Sequence, residues 1–183
     1  MRKDLVRTSK FLSLVLRHKP EVIGLTLDSN GWVEIEALLH AASNHQHKII
    51  RETLDEVVFT NDKQRFSFSP DGTRIRANQG HSIDVNLELE PVIPPSDLYH
   101  GTVVKVLDSV REFGLLKMQR QHVHLSATVE TARSVGSRRG KPVVLSVDSV
   151  KMHEDGFRFF LSANGVWLTD SVPWMYIAEL TDV

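Results

Sequence analysis

The stretch Arg65-Phe-Ser-Phe-Ser-Pro-Asp-Gly-Thr-Arg-Ile-Arg76 predicts two short strands joined by a tight turn. Ser69-Pro-Asp-Gly72 has turn composition, because proline presets φ and glycine accepts positive φ at no steric cost. Phe66 and Phe68 alternate along the first strand, so we expect both to face inward and Arg65 to point outward. The sequence therefore predicts a β-hairpin at residues 65–76.

Three helices are predicted upstream of this hairpin. The apolar residues of 3–17 fall on one helical stripe, and Pro20 ends that run. Leu25 and Leu27 then alternate into an Asn30-Gly31 turn, which a short helix follows through Ala42. A third helix carries apolar residues at helical spacing from 49 to 58. Three helices followed by a hairpin favour a winged-helix module, a fold often found on nucleic acid.

A proline-rich stretch downstream of the hairpin, Glu88-Leu-Glu-Pro-Val-Ile-Pro-Pro-Ser96, predicts a domain boundary, since its prolines exclude a helix and stiffen a connector. Beyond it the pattern predicts strands at 98–102, 122–126 and 143–147, helices at 103–114 and 128–137, and antiparallel strands across 157–180. We expect an α+β protein with three segments: a winged-helix-like lobe at 1–90, a linker at 91–97, and a small α/β lobe with antiparallel sheets at 98–183.

The composition narrows the function classes. The chain has 22 Lys and Arg against 23 Asp and Glu, so any RNA must be bound by a local basic pocket rather than by a global field. It has no cysteine, which excludes disulfides, thiolate nucleophiles and iron–sulfur centres. No segment has the apolar length of a membrane span, and the N-terminal run lacks a signal-peptide cleavage site, so we expect a cytoplasmic protein without membrane attachment.

Cationic residues recur where helices and strands end. Arg17-His18-Lys19 closes the first helix and Arg138-Arg139 follows a later one. Cations at a helix C-terminus interact favourably with the helix dipole and stabilise the helix by about 0.3–1 kcal/mol. This effect explains both groups without any ligand. Arg65 equally suits a solvated edge strand. Each signal is weak alone.

Two polar segments are better suited to ligands than to structure. Arg74-Ile-Arg-Ala-Asn-Gln-Gly-His-Ser82 is a polar loop after a strand, and Tyr99-His-Gly-Thr102 has a glycine that permits close backbone approach. His122 and His124 share one face of their strand, where stacking or hydrogen bonding is favoured over metal binding because no third ligand is suitably spaced. We expect no metal. Rossmann, phosphate-loop and nucleophile-elbow motifs are absent from the sequence.

Seven segments, in order and with sensible gaps, resemble the NAD-dependent RNA 2′-phosphotransferases over nearly the whole chain. They are Leu16-Arg-His-Lys-Pro20, Lys63-Gln-Arg-Phe66, Ile75-Arg-Ala-Asn-Gln-Gly-His-Ser82, Tyr99-His-Gly-Thr102, His122-Val-His-Leu-Ser126, Gly136-Ser-Arg138 and Ser162-Ala-Asn-Gly165.

This resemblance implies an ADP-ribosyltransferase-like fold for the second lobe and a two-step transfer. An internal RNA 2′-phosphate first attacks the nicotinamide-bearing ribose carbon of NAD⁺, and the ribose hydroxyl then attacks phosphorus. The products are 2′-hydroxyl RNA, nicotinamide and ADP-ribose 1″,2″-cyclic phosphate. NAD⁺ is thus a co-substrate, RNA the partner, and no obligate protein partner is implied.

The resemblance also implies roles for individual residues. The family's catalytic tetrad falls on Arg17, His18, Arg65 and Arg138. Its NAD⁺ contacts fall on His100, Gly101, Thr102, His124, Leu125, Ser126, Asn164 and Gly165. Within the matching segments we expect RNA contacts from Lys19, Arg76, His81 and Ser82. Arg139 stands where other members often carry histidine and receives no catalytic role.

Two other functions remain open at this point. One is a winged-helix regulator whose second domain senses a small molecule. This function accounts for the first half of the chain, although residues 48–58 are less basic than expected for a helix that reads DNA. An ADP-ribosyltransferase that leaves its product on a protein or an RNA end is the second. Such enzymes commonly use a glutamate in the C-terminal lobe, and neither Glu-x-Glu pair of this chain falls in the C-terminal strands.

Overall fold

The computed structural model describes residues 2–61 and 63–180; Met1, Asp62 and 181–183, which fall within the two predicted lobes, lie outside it. The chain divides into two compact units, one ending at Glu88 and one beginning at Leu89. Helices and small antiparallel sheets build both units, so the predicted α+β class is confirmed. No helix in the described part of the chain has the length and apolar character needed to cross a membrane.

The first unit is built from helices and one small sheet. Its elements are α1 (Lys3–Arg17), a 3₁₀ turn (Pro20–Ile23), β1 (Val33–Glu34), α2 (Ile35–Asn44), α3 (Arg51–Phe59), β2 (Phe66–Phe68) and β3 (Arg74–Ala77). The sheet has the order β1-β3-β2, and each pair is antiparallel. The predicted first helix and the hairpin are therefore confirmed.

An apolar core accounts for the packing of these elements. The stripe of α1 is buried as its periodicity predicts, and it packs with residues of α2, α3 and the sheet. The fully buried side chains of this core are Leu12, Val15, Leu16, Leu38, Ala42, Leu54, Val57, Ile75 and Ala77.

The start of the third helix differs from the sequence expectation, and the segment before the Asn30-Gly31 turn has no strand pairing. Leu25 and Leu27 follow Gly24, which is in the left-handed region, and they have no ladder partner. The third helix begins at Arg51, and Ile50 before it is extended and exposed. A short apolar run at helical spacing cannot by itself fix a helix boundary.

The hairpin turn is organised by a carboxylate. Asp71 accepts hydrogen bonds from the hydroxyls of Ser69 and Thr73 and from the backbone N–H of Thr73. These bonds, led by the one from Ser69, lower the pKa of Asp71 to about 2. The turn that the Ser69–Gly72 composition predicts is thus held by its own side chains.

The second unit contains three small sheets and short helices. Its elements are β4 (Asp97–Val103), a 3₁₀ turn (Val104–Val106), α4 (Leu107–Phe113), β5 (Leu115–Leu116), β6 (Val123–Leu125), α5 (Val129–Gly136), a 3₁₀ turn (Ser137–Arg139), β7 (Pro142–Asp148), α6 (Ser149–Glu154), β8 (Phe160–Leu161), β9 (Trp167–Thr169), β10 (Ser171–Val172), a 3₁₀ turn (Trp174–Tyr176) and β11 (Ile177–Leu180).

The strand pairing brings distant segments of this unit together. One sheet has the order β11-β7-β4, a second has β6-β9-β8, and β10 pairs with β5. The first two meet through reciprocal backbone hydrogen bonds of 2.7 and 2.8 Å between Tyr99 and Ser126. Residues 157–180 do form antiparallel strands as predicted, but these belong to all three sheets, and α6 was not predicted.

The proline-rich segment after Glu88 makes specific contacts within the second unit. The N–H of Val92 donates to the carbonyl of Phe159 at 2.8 Å, and Pro91 forms a β-bridge with Phe160. The hydroxyl of Ser149 donates to the carbonyl of Pro95 at 2.6 Å. Residues 91–96 therefore pack on the second unit before β4 begins.

Close packing of α5 on β4 depends on two glycines. A Cβ at Gly101 would lie 1.7 Å from the carbonyl oxygen of Ala132, and one at Gly136 would lie 2.8 Å from that of Thr102. The sequence suggested that Gly101 admits a ligand, whereas the backbone that approaches it is that of a helix. The absence of a side chain at Gly101 is therefore explained by the packing of α5 on β4.

We predict that Gly101→Ala strongly destabilises the second unit. The added methyl meets backbone, which cannot rotate away, so the loss in free energy of unfolding should be about 3 kcal/mol or more. Urea unfolding followed by circular dichroism measures it. Gly156→Ala is the control, because a Cβ there meets nothing within 4 Å and costs only the left-handed φ, about 1–2 kcal/mol. Equal losses for the two variants would contradict the packing argument.

Candidate functional site

The C-terminal end of α1 is joined to the loop after β3. His18 Nδ1 shares a hydrogen bond of 2.9 Å with Ser82 Oγ, and the N–H of Ser82 donates to the carbonyl of Arg17 at 2.9 Å. Two segments more than sixty residues apart in the chain are thereby fixed to each other. The half-buried Arg17 and His18 stand at this junction, and Ser82 is exposed beside them.

Arg65 lies against the same helix end. Nη2 of Arg17 donates to the carbonyl of Arg65 at 3.4 Å, and the guanidinium of Arg17 lies 5.9 Å from the ring of Phe66. Arg65 is half-buried, so it is not a fully solvated edge-strand charge. The structure thus brings together Arg17, His18, Arg65 and Ser82, which we call the arginine–histidine cluster.

Asn61 fixes the guanidinium of Arg65. Its Oδ1 accepts from Nη1 of Arg65 at 3.1 Å, while its Nδ2 donates to Ser9 Oγ on α1 at 3.2 Å. Asn61 is only 4% exposed, so these bonds replace solvent and hold one rotamer. The N–H of the buried Asn78 adds a bond of 2.9 Å to the carbonyl of Arg65. Sequence reasoning missed Asn61, because an asparagine after a helix has many commonplace uses.

Arg76 is held by an aromatic ring. Its guanidinium lies 4.5 Å from the ring centroid of Trp32, and Nη1 donates to the carbonyl of Asn30 at 3.4 Å. Burial lowers the pKa of Arg76, and the carboxylates of Glu88 and Asp28 oppose that shift. Sequence reasoning missed Trp32, whose ring also has the guanidinium of Arg74 at 5.6 Å.

His81 is buried beneath this cationic region. It is 1% exposed, and neither ring nitrogen has a hydrogen-bond partner among the described residues. Burial lowers its pKa to about 4, and the positive charges of Arg17, His18 and Arg76 act in the same direction. His81 is therefore neutral at pH 7, and its ring is shielded from solvent-borne ligands. Lys19, by contrast, is exposed.

A cluster of this kind suits a phosphate monoester. Guanidinium groups present fixed pairs of N–H donors that match phosphate oxygens, and partial burial strengthens the attraction. An open groove of about 400 Å³ passes along α1 and includes His18 and Arg65 in its lining. A dianion can reach the cluster from solvent through this groove.

In the second unit, His100 is held as a neutral imidazole. Its Nδ1 donates to the carbonyl of His124 at 3.0 Å, since a carbonyl only accepts. Burial lowers the pKa of His100, the bond to His124 raises it, and the charges of Arg139 and Arg120 lower it. Nε2 of His100 is consequently an acceptor.

His124 is held in the opposite tautomer. Nη1 of Arg120 donates to Nδ1 of His124 at 2.8 Å, so the proton of a neutral His124 resides on Nε2. The bridge between Tyr99 and Ser126 places the two motif segments side by side. Arg120 was not predicted, and burial followed by the charge of Arg139 lowers its pKa.

The other predicted NAD⁺ contacts differ in accessibility. Thr102 is half-buried on β4, whereas Leu125 is 1% exposed and belongs to the core, which leaves only its backbone for a ligand. Asn164 and Gly165 lie in the turn between β8 and β9. Ser162 Oγ accepts from the N–H of Val166 at 3.0 Å in that turn, and Gly165 has φ of +74°.

Arg138 lies in the 3₁₀ turn that follows α5 and is exposed, as is Arg139. No described residue forms an ion pair or hydrogen bond with its guanidinium. His122 packs its ring 5.8 Å from that of Phe160. Within residues 2–61 and 63–180, no group of three His, Asp or Glu side chains is placed to hold a metal ion.

The family model described as "RNA 2′-phosphotransferase, Tpt1 / KptA family" matches residues 3–171, and the chain belongs to this family. The chain is similar to a protein named "Probable RNA 2′-phosphotransferase" from Hahella chejuensis, at 55% identity over 98% of this chain and 97% of the relative. Relatives with the same name from Rhodopirellula baltica and Nostoc punctiforme are 57% and 51% identical, over 96% of this chain and 96% and 97% of their own.

We predict that burial of His81 makes the first unit less stable in acid. The unfolded imidazole binds a proton near pH 6.5 and the folded one only near pH 4, so the unfolded state binds more protons between these values. Stability contributed by this residue is present above pH 6.5 and falls by about 3 kcal/mol as the pH drops to 4.

Urea unfolding of His81→Gln across this range tests the assignment, with the exposed His40→Gln as control. The free energy of unfolding of His81→Gln should depend less steeply on pH than that of the wild type, and the control should follow the wild type. Parallel curves for His81→Gln and wild type would show that His81 titrates normally in the folded state.

Proposed function

We propose that this protein is an NAD⁺-dependent RNA 2′-phosphotransferase that moves an internal RNA 2′-phosphate to NAD⁺. Family membership and the names of its relatives support the transferase class. We further propose that the first unit is a winged-helix-like RNA lobe and the second an ADP-ribosyltransferase-like NAD lobe. Three helices ahead of a hairpin, and small antiparallel sheets, are compatible with these folds.

The observation that carries the proposal is the arginine–histidine cluster. Arg17 and Arg65 lie beside His18 and Ser82 at the end of α1, where two guanidinium groups and an imidazole come together. A phosphate monoester has a second pKa of about 6, so it carries nearly two negative charges at neutral pH. Such a dianion is already a nucleophile and needs no general base. The cluster supplies cations that hold and orient it.

The NAD⁺ contacts are proposed for the second unit. Nε2 of His100 is an acceptor beside the Tyr99–Ser126 bridge, so this region can receive a hydrogen bond from a nucleotide, and His124 on the neighbouring strand is a further proposed contact. Thr102, Ser126, Asn164 and Gly165 are the further proposed contacts, together with the backbone of Gly101 and Leu125. Lys19, Arg76 and Ser82 are proposed to contact RNA, with His81 supporting them from the interior.

The proposed reaction has two balanced steps. In the first, a phosphate oxygen attacks the nicotinamide-bearing ribose carbon, the C–N bond breaks, and neutral nicotinamide leaves with the bonding electrons. In the second, the 2″-hydroxyl of that ribose attacks phosphorus, and the bond to the RNA 2′-oxygen breaks. The hydroxyl proton passes to that oxygen, which gives 2′-hydroxyl RNA and ADP-ribose 1″,2″-cyclic phosphate.

Positive charge is required in both steps, but in different ways. The first step needs the phosphate held toward the ribose carbon. The second changes the bonds at phosphorus, where guanidinium groups stabilise charge that shifts among the oxygens. His18 hydrogen-bonds to Ser82 beside the two arginines, so we assign it contact with the phosphate and movement of the proton.

The direct test is incubation of a 2′-phosphorylated oligoribonucleotide with NAD⁺, with and without a metal chelator, followed by mass analysis. We expect RNA lighter by one phosphate, free nicotinamide and ADP-ribose cyclic phosphate at equal rates in both buffers. ADP-ribose that remains on RNA or on protein would identify an ADP-ribosyltransferase instead. Loss with chelator and recovery with a divalent ion would reveal a metal requirement.

We predict that Arg65→Lys is almost as inactive as Arg65→Ala. Lysine retains the charge but loses the planar fork that Asn61 orients, so bidentate contact with phosphate is lost. Single-turnover rates should fall by at least about 100-fold, or 2.7 kcal/mol, in both variants. Near-normal turnover by the lysine variant would return Arg65 to the role of a surface charge.

We also predict that the two steps separate by residue. Arg138→Ala and His18→Ala should accumulate RNA bearing an ADP-ribosylated 2′-phosphate, seen as a slower-migrating species, because we assign these two residues to the charge and proton movement at phosphorus in the second step, and Arg17 and Arg65 to holding the phosphate for the first. Arg17→Ala and Arg65→Ala should leave unreacted substrate. If all four variants leave only substrate in single-turnover assays, this division of roles is wrong, while the overall reaction can stand.

A further inference from the structure

The open groove along α1 extends beyond the arginine–histidine cluster. Its wall on α1 consists of Val6, Ser9, Lys10, Ser13 and Leu14, and His18 and Arg65 complete its described lining. The groove, at about 400 Å³, is larger than a phosphate group alone requires. Space therefore remains for a neighbouring chemical group.

The groove combines an apolar surface with a cation. Leu14 is 40% exposed although it lies on a helix whose other leucines are buried, and Val6 is half-buried two turns earlier on the same helix. Lys10 is exposed on the turn between them, and it has no ion pair with any described residue. Apolar side chains beside a lysine are suited to the face of a base and a phosphodiester.

Basic side chains outnumber acidic ones on α1. Lys3, Arg7 and Lys10 lie at helical spacing on a stripe that continues to Arg17 at the end of the helix. Asp4, the acidic residue of α1, faces Arg2 at 3.4 Å. In a chain with 22 basic and 23 acidic residues, such a stripe is the local field that a polyanion requires.

We propose that this groove binds the ribonucleotide adjacent to the 2′-phosphorylated one, with Lys10 on its phosphodiester and Leu14 against its base. The inference rests on the proposed function, because the shared lining at His18 and Arg65 makes the groove continuous with the phosphate cluster. It assigns an RNA-flank subsite to α1 and makes substrate length a determinant of efficiency.

The experiment compares substrates of different length. One is a 2′-phosphorylated dinucleotide, and two are 2′-phosphorylated hexanucleotides extended on the 5′ or the 3′ side. Wild type, Lys10→Glu and Leu14→Ser are assayed for kcat/KM on each. The control is Lys48→Glu, an equal charge reversal at an exposed lysine of the same unit that does not line the groove.

We expect one of the two hexanucleotides to be preferred by wild type. Lys10→Glu should lose about tenfold in kcat/KM on that hexanucleotide and less than about twofold on the dinucleotide. Leu14→Ser should show the same dependence on length more weakly, and Lys48→Glu should match wild type. An equal loss on all lengths, a wild type that is indifferent to length, or an equal effect of Lys48→Glu would overturn the proposal.

Binding without turnover keeps this test separate from the proposed function. Fluorescence anisotropy of the labelled hexanucleotide, without NAD⁺, gives the salt dependence of the dissociation constant. Removal of one phosphate contact in Lys10→Gln should reduce the slope of log K against log salt by about 0.7 for a single strand. An unchanged slope overturns the subsite, whereas absence of nicotinamide release with every substrate overturns only the function.

Discussion

The site in the first unit depends on the hydrogen bonds that the buried side-chain amide of Asn61 makes. It bonds to Arg65 with its oxygen and to Ser9 of α1 with its nitrogen, so it couples the start of the hairpin to the helix that carries Arg17 and His18. An arginine alone has many rotamers, and holding one of them costs up to about 2 kcal/mol of side-chain entropy. Because Asn61 is almost wholly removed from water, leaving its bonds unmade is more costly still.

The charge states of the groups around this cluster depend on their burial and on their neighbours, not on the net charge of the chain. The chain is nearly neutral overall, yet Arg17 contacts Arg65, and the charges of Arg17 and Arg76 both act on His81. The uncharged state of His81 avoids further repulsion, since a buried imidazolium near the guanidiniums of Arg17 and Arg76 would be strongly unfavourable. The second unit has a similar arrangement, where the half-buried His100 lies near Arg120 and Arg139 and has a lowered pKa.

Local patterns predicted much of the secondary structure and the types of residue at the site. The periodicity of α1 and the turn residues 69–72 act over short distances, so the sequence contains their full explanation. Sequence patterns did not identify Asn61, Trp32 or Arg120, because the roles of these residues are set by partners elsewhere in the fold. Those partners are Arg65, Arg76 and His124, respectively. The packing reason for Gly101 likewise appears only when α5 lies on β4.

We propose that the cluster fixed by Asn61 binds a phosphate dianion. Calorimetric titration of the protein with a 2′-phosphorylated dinucleotide, without NAD⁺ and beside its 2′-hydroxyl counterpart, tests it most directly. We predict binding of the phosphorylated dinucleotide at least about 100-fold tighter, a difference of 2.7 kcal/mol, and weaker binding in Asn61→Leu. Equal affinity of the wild type for the two dinucleotides would contradict the account.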